Sequence, residues 1–386
     1  MYIEREVNLT EILLKKSLFL FGPRQSGKTT YINKQLTIEP KIKYNLLDFE
    51  TFTRLSNDPS YIKKVIEAND YRNCLVVIDE IQELPIILNT VQLLIDERDI
   101  KFLLTGSSAR KLKRASSNLL GGRARWRNFY PLSYYELSKT FEKIDLDYVL
   151  NIGLIPSVYL SSNPEEDLNA YANLYLKEEI KAEGISRKIT DFSRFLQIAA
   201  INNSQEINYT KIANDAQLKN QTITRWFEVL EDTLIGFFLE PYTELKTRKS
   251  IQRKKFYFFD TGIARNLRDL EKVIEGTSIY GEFFEQFIIL EIKKFINFKE
   301  PSMKMNYIRT STGIEIDCLL NKQIAIEIKS SKIITNRHYK NLKMIKENFI
   351  TRKIVVCQTL EYYKEENIEI MPYKVFIEKL WKDEIT

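Results

Sequence analysis

The chain has 386 residues, 44% hydrophobic and 28% charged, which suits a soluble globular protein of two or three domains. A net charge of +6 permits nucleic-acid contact without demanding it, and a lone histidine, His338, excludes multi-histidine zinc sites. No apolar run nears the roughly 18 residues of a membrane span, and "MYIEREVNLTEILLKK" lacks the apolar core of a secretory signal, so no membrane partner and a cytoplasmic location are expected.

Cys74, Cys318 and Cys357 lie far apart inside apolar runs and read as buried small side chains, without disulfide or zinc spacing. Any chemistry must rest on Asp, Glu, Lys, Arg and hydroxyl groups.

The first predicted strand, "SLFLF", runs into "GPRQSGKTT", residues 22–30, which fits G-x-x-x-x-G-K-[ST]. Glycines let backbone N–H groups approach phosphates, and the helix that follows presents its positive end. Gly22, Pro23, Arg24, Gln25, Ser26, Gly27, Lys28, Thr29 and Thr30 are therefore expected to hold ATP. Lys28 would reach the β- and γ-phosphates and act in catalysis, and Thr29 would hold Mg²⁺.

"CLVVIDEIQELP" is a continuous apolar run, as in a strand buried on both faces, ending in Asp79 and Glu80. Ligands bind at the C-terminal ends of such strands. Asp79 is expected to bind Mg²⁺, and Glu80 to orient or deprotonate the attacking water. A further strand, "IKFLLTGSSAR", brings Thr105 and Ser107 to the same edge, for γ-phosphate sensing or for helix capping.

Two basic clusters invite a phosphate reading or a solvated-loop reading: Arg110, Lys111, Lys113, Arg114, Arg123, Arg125 and Arg127, then Lys246, Arg248, Lys249, Arg253, Lys254 and Lys255. Arg123, after Gly121 and Gly122, is a candidate catalytic arginine finger. A finger acting in trans would require a homo-oligomer.

The set "FGPRQSGKTT", "VVIDEIQELP", "FLLTGSSAR" and "GGRARWRNFYPLSYYEL" closely resembles a widespread prokaryotic family of AAA-superfamily ATPases. In that family a further region follows the ATPase core; its counterparts here are "GLIPSVYL", "YLKEEI", "KFYFFDTGIARNL" and "GEFFEQFIILEI". The resemblance implies ATP binding and hydrolysis, and spans nearly the whole chain.

Residues 134–192 read as mostly helical, a lid or plain packing helices. "INYTKIANDAQLKNQTITRWFEVL" holds two helical patterns split by "LKNQ", and a strand, "KKFYFFDTG", follows. This order describes a winged helix-turn-helix. The start of its second helix carries Lys219, Asn220, Gln221, Thr222 and Arg225 for DNA, and the run Lys246–Lys255 would sit in the wing. Such modules also serve as protein adaptors.

From residue 276 the expected order is helix 280–298, strands 304–309, 313–320 and 323–329, helix 337–348 and strand 353–357. This αβββαβ order resembles the PD-(D/E)XK nuclease superfamily, whose motif positions fall here on Glu285, Asp317, Glu327 and Lys329. A three-residue hairpin loop, Asn321–Gln323, would place Asp317 opposite Glu327 and Glu315 opposite Lys329. Glu315 and Lys329 would then pair, and the like-charged pair, about 5 Å apart, would be relieved by a divalent cation such as Mg²⁺. A solvated hairpin and a catalytically silent fold are the alternatives.

The expected fold is thus multidomain α/β: a P-loop parallel-sheet ATPase core (1–135), a helical lid or connector (136–195), a winged-helix module (196–275) and a nuclease-like domain (276–386). The expected function couples ATP state to DNA binding and Mg²⁺-dependent cleavage. The alternative is a regulatory ATPase switch with a silent protein-binding C-terminal half.

Overall fold

The computed structural model describes residues 1–110, 112, 120–175, 189–245 and 252–385. The chain divides into two compact units: Tyr2–Pro131 with Asp232–Ile235, and Leu132–Glu231 with Gly236–Thr386. The second unit thus contains most of all three regions that the sequence separates into connector, winged helix and nuclease-like domain.

The first unit is built on five parallel strands in the order β2-β3-β4-β1-β5: β1 Ser17–Phe21, β2 Ile42–Asn45, β3 Leu75–Asp79, β4 Lys101–Gly106 and β5 Ala124–Asn128. The three central strands are covered on both faces and are apolar nearly throughout, as such strands must be. Helices α1 Leu9–Lys15, α2 Lys28–Lys34, α3 Phe49–Asn57, α4 Tyr61–Ala68 and α5 Leu88–Arg98 accompany the sheet. Phe19, Phe21, Val76, Ile78, Phe102 and Leu104 form its principal core with Leu55, Ile62, Ile66 and Val91, and Leu234 packs against them. Strand β4 lies between β1 and β3, so the three C-terminal ends share one edge.

The second unit starts with short helices α6 Tyr134–Ser138, α7 Leu146–Ile152, α8 Pro156–Tyr159 and α9 Pro164–Ala170. Then come α10 Ile189–Ile201, α11 Tyr209–Ala216 and α12 Asn220–Asp232, and a two-stranded antiparallel sheet of β6 Gly236–Leu239 and β7 Lys255–Phe258. Helix α11 ends at Gln217, whose φ of 56° gives the left-handed turn that separates it from α12. Helix, turn, helix and hairpin thus follow in the expected order.

Two sequence motifs prove to be one structural joint. Helix α13, Thr261–Leu267, is capped by Asp260, whose Oδ1 accepts from Ile263 N at 3.2 Å and whose Oδ2 accepts from Leu154 N at 2.6 Å. Thr261 Oγ1 donates to Val149 O and Arg265 Nε to Asn151 O. "FFDTGIAR" is therefore the partner of "NIGLIP".

Helix α14, Ser278–Phe298, is apolar on almost every face and buried along its length. It packs on a six-stranded mixed sheet in the order β12-β13-β11-β10-β9-β8. The strands are β8 Met305–Arg309, β9 Glu315–Leu320, β10 Ile324–Ile328, β11 Arg352–Cys357, β12 Tyr363–Glu365 and β13 Ile368–Pro372. Helices α15 Lys340–Met344 and α16 Tyr373–Trp381 complete the unit. The αβββαβ order is present, with β12, β13 and α16 beyond it.

The helix expected over 337–348 is only α15 with a preceding 3₁₀ turn, Asn336–Tyr339. Lys353 Nζ takes the carbonyls of Leu342 and Ile345 at 2.6 and 3.0 Å, satisfying the helix end, and buried Ile345 leaves the helix as extended backbone.

Candidate functional site

At the C-terminal edge of the first sheet, the loop after β1 turns through positive φ at Gln25 and Gly27. A Cβ on Gly22 would stand 2.1 Å from Phe129 O, so only glycine lets the loop pass there. Lys28 is buried and its Nζ donates to Gly22 O and Pro23 O, at 2.7 and 3.1 Å. Ser26 Oγ is buried without a hydrogen-bond partner. A loop drawn around its own lysine, with an orphaned hydroxyl, fits a phosphate chain. Arg5 holds it from beneath: Nη1 donates to Ser26 O at 3.0 Å and Nη2 to Tyr130 O at 2.7 Å. No local pattern in the sequence marks Arg5 for this role.

Thr29 Oγ1 lies 3.3 Å from Asp79 Oδ2, and Thr105 Oγ1 donates to the other oxygen, Oδ1. Register explains this, since Ile78 pairs with Leu104, which sets Asp79 beside Thr105. An exposed hydroxyl beside a carboxylate is a hard-oxygen pair that suits Mg²⁺. Glu80 takes a left-handed conformation, φ 57°, and its carboxylate accepts from Gln82 Nε2. Burial raises the Glu80 pKa, with Gln82 and Lys28 opposing the rise. Gln82 also reaches Ser107 Oγ at 3.4 Å. Sequence reasoning overlooked Gln82, although "DEIQELP" puts it two residues past Glu80.

Arg123 does not join this group. Parallel pairing of Ser17 with Ala124 sets it at the N-terminal end of β1, whereas the loop follows the C-terminal end. The strand rise between them is roughly 15 Å. Its Nε donates to Asp96 Oδ1 at 2.7 Å on α5. This placement does not bring Arg123 to the loop of its own chain, and the trans alternative would need a neighbouring chain. Lys111, Lys113 and Arg114 lie outside the described residues.

In the second unit, Asn321 and Lys322 turn through φ of 46° and 65°, and Gln323 N donates to Leu320 O. Leu320 pairs with Ile324, Leu319 with Ala325 and Cys318 with Ile326. The loop has three residues, and the same register carried one pair further sets Asp317 across from Glu327. Lys329 Nζ sits between them, 3.2 Å from Asp317 Oδ2 and 2.6 Å from Glu327 Oε2. Asp317 Oδ2 also accepts from Ile328 N at 2.8 Å, while Glu327 Oε1 is buried with no donor.

Glu315 does not pair with Lys329 as expected. It pairs with Arg309 and, at 2.8 Å, with Lys255 Nζ. The two like-charged carboxylates draw Lys329 to themselves instead. Lys255, expected in the wing either solvated or on phosphate, is instead 3% exposed and also touches Glu285 Oε1 at 3.2 Å. Tyr257 donates to the same oxygen at 2.6 Å. Asn203 and Gln286 fix this geometry: Asn203 Nδ2 donates to Gln286 Oε1, and both side chains bond the Phe258 backbone. Strand β7 is thereby held against α14. Lys246, Arg248 and Lys249 lie outside the described residues.

Burial raises the Glu327 pKa, and the Asp317 charge adds to the rise. Burial would raise Asp317 too, but Lys329 and Lys255 outweigh it and hold it low. For Lys255, Glu285 and its neighbours more than offset burial, so the ammonium keeps its proton. Among the described residues no three or more His, Cys, Asp or Glu side chains converge as metal ligands. The cluster is balanced by lysines and, so arranged, does not fit a metal ion.

Lys219, just before α12, and Asn220, Gln221 and Arg225 at the helix start are exposed, and Thr222 is half-buried. Among the described residues no helix is long and apolar enough to cross a membrane.

A five-stranded parallel sheet with a glycine-lysine loop after β1 and an acidic pair after β3 is consistent with the fold of a P-loop ATPase. Residues 14–138 match a family model described as an AAA domain, which supports assignment as an ATP-binding AAA-superfamily ATPase. Residues 143–273 match a domain of unknown function, DUF8612, and residues 280–376 another, DUF4143. Similar proteins include uncharacterized proteins of Mycobacterium tuberculosis and Mycobacterium bovis, each 23% identical over 322 residues, 81% of this chain and 70% of theirs. An uncharacterized protein of Methanocaldococcus jannaschii is 22% identical over 417 aligned positions, 94% of this chain and 85% of its own.

Proposed function

We propose that the chain binds ATP with Mg²⁺ at residues 22–30, hydrolyses it, and uses nucleotide state to govern DNA engagement by its C-terminal unit. The observation that carries the ATPase reading is the line of Thr29, Asp79 and Thr105 beside the buried Lys28. Lys28 would exchange the loop carbonyls for phosphate oxygens, and Glu80 would orient the attacking water. Mg²⁺ held by Thr29 and Asp79 would supply charge neutralisation at the phosphates. Loss of phosphate release in Lys28→Ala tests this; surviving turnover would overturn it.

DNA engagement is supported by the exposed polar start of α12 in a helix-turn-helix order. Cleavage is supported by Asp317, Glu327 and Lys329 on a hairpin of the expected register, behind a helix bearing Glu285. Plasmid nicking with Mg²⁺, with and without ATP, compares wild type with Asp317→Ala. No Asp317-dependent cleavage in either condition would sink the nuclease part.

One observation favours a second reading. The buried carboxylates are already neutralised by Lys255 and Lys329. A protein-binding platform that never cuts would keep such a cluster. The same nicking assay separates the two.

A further inference from the structure

Glu80 follows β3 directly, and its side chain is set by a residue two places further on. A 3₁₀ turn, Ile81–Glu83, folds the chain back onto β4 and returns Gln82 to the end of that strand. Gln82 is 4% exposed. Its Nε2 donates to Glu80 Oε2 and lies 3.4 Å from Ser107 Oγ. Its Oε1 is buried with no hydrogen-bond partner. A Cβ on Gly106 would stand 2.1 Å from that oxygen, so the glycine leaves the amide its place. The following turn is bonded by Ser108, whose Oγ accepts from Arg110 N at 3.1 Å, while Ser107 faces Gln82. A buried amide oxygen without a donor is costly. The opposite amide orientation would set that oxygen against the Glu80 carboxylate, two acceptors face to face. The carboxylate therefore decides which way the amide points, and the amide in turn holds the carboxylate.

We infer that Gln82 is a positioning residue for ATP hydrolysis: its amide pins one oxygen of Glu80, leaves the other for the attacking water, and ties that carboxylate to Ser107 at the end of β4. This rests on the ATPase reading and adds to it the group that aims Glu80. Gln82 acts through Glu80, so its loss falls on the transition state, where the water must be held in line, and spares nucleotide binding.

The test uses the full chain with Mg²⁺ and ATP. Gln82→Met keeps the length and the burial of the side chain and removes the donor. It is expected to lower kcat about tenfold or more while the KM for ATP stays within about threefold of wild type. Binding of ADP with fluoroaluminate, a mimic of the transferring phosphoryl group, gives a readout that needs no turnover. Gln82→Met and Glu80→Gln should each weaken it about tenfold or more relative to ADP alone. The double variant should bind no worse than Glu80→Gln, because both changes act on one group. Additive losses would make Gln82 an independent contributor and overturn the inference. A wild-type kcat in Gln82→Met, a loss confined to KM, or a rise in kcat would each overturn it too. Gly106→Ala, whose Cβ displaces the same amide from the other side, should show the same split between kcat and KM. It carries the test should Gln82→Met fold poorly, and unchanged turnover there counts against the role. A wild-type chain that neither turns over ATP nor binds ADP with fluoroaluminate would sink the ATPase reading and this role with it. An active wild type beside an indifferent Gln82→Met would sink this role alone.

Discussion

A Cβ placed on Gly153 would stand 1.9 Å from Oδ1 of Asp260, the carboxylate that caps α13 and accepts from Leu154 N. Gly153 also has a φ of 79°. Gly153→Ala should therefore destabilise the second unit by about 2–4 kcal/mol, through steric clash and backbone strain together. Asp260→Asn keeps the shape and should cost less, about 1–2 kcal/mol. Urea unfolding followed by tryptophan fluorescence would rank them; a stable Gly153→Ala would show that the joint yields.

Thr105 touches the same carboxylate as Thr29 from the neighbouring strand. Thr105→Val keeps the volume and removes the hydroxyl. We expect ATP turnover to fall about tenfold or more with nucleotide affinity little changed, because a positioning contact serves the transition state rather than binding. A matched loss of affinity would instead make Thr105 a binding residue.

Lys219, just before α12, and Arg225, on it, are exposed. If both meet backbone phosphate, each Ala substitution should weaken DNA binding across unrelated sequences. It should also reduce the slope of log affinity against log salt by about 1. An unchanged slope would remove that helix from the DNA interface.

Arg123 lies at the far end of β1 from the phosphate loop and pairs with Asp96. Its activity as a finger therefore requires a neighbouring chain. Arg123→Ala and Lys28→Ala should each be inactive alone and recover turnover when mixed, because a mixed pair holds one intact loop facing one intact arginine. Full turnover by Arg123→Ala alone would end its candidacy.

The readable parts of this molecule are those set by near neighbours in the chain. Strands β1, β3 and β4 announce themselves as apolar runs because both their faces are covered. The β9–β10 hairpin could be registered from its period and loop length alone. Lys255 could not be placed, since the basic run "RKKFYF" looks like a solvated wing. Its burial is decided by Glu285 and Glu315, 30 and 60 positions further along the chain. Arg5 is similar, reaching across to Ser26 and Tyr130. By contrast, β13 and α16 carried a signal that went unused, in the alternation of "NIEIMP" and the helical spacing of "YKVFIEKLW".

The position of Arg123 has one further consequence. A contact that joins one end of a domain to the opposite end of its copy is closed by a two-fold pair only where both copies of it form at once; where they do not, it is never exhausted by pairing. Each chain would offer an arginine on one side and accept one on the other. Chains joined this way make a closed ring if the rotation per step divides a full turn, and an unending spiral if it does not. Turnover would then depend on the number of chains joined, and the chain at an open end would hold a nucleotide that no neighbour can help to cleave.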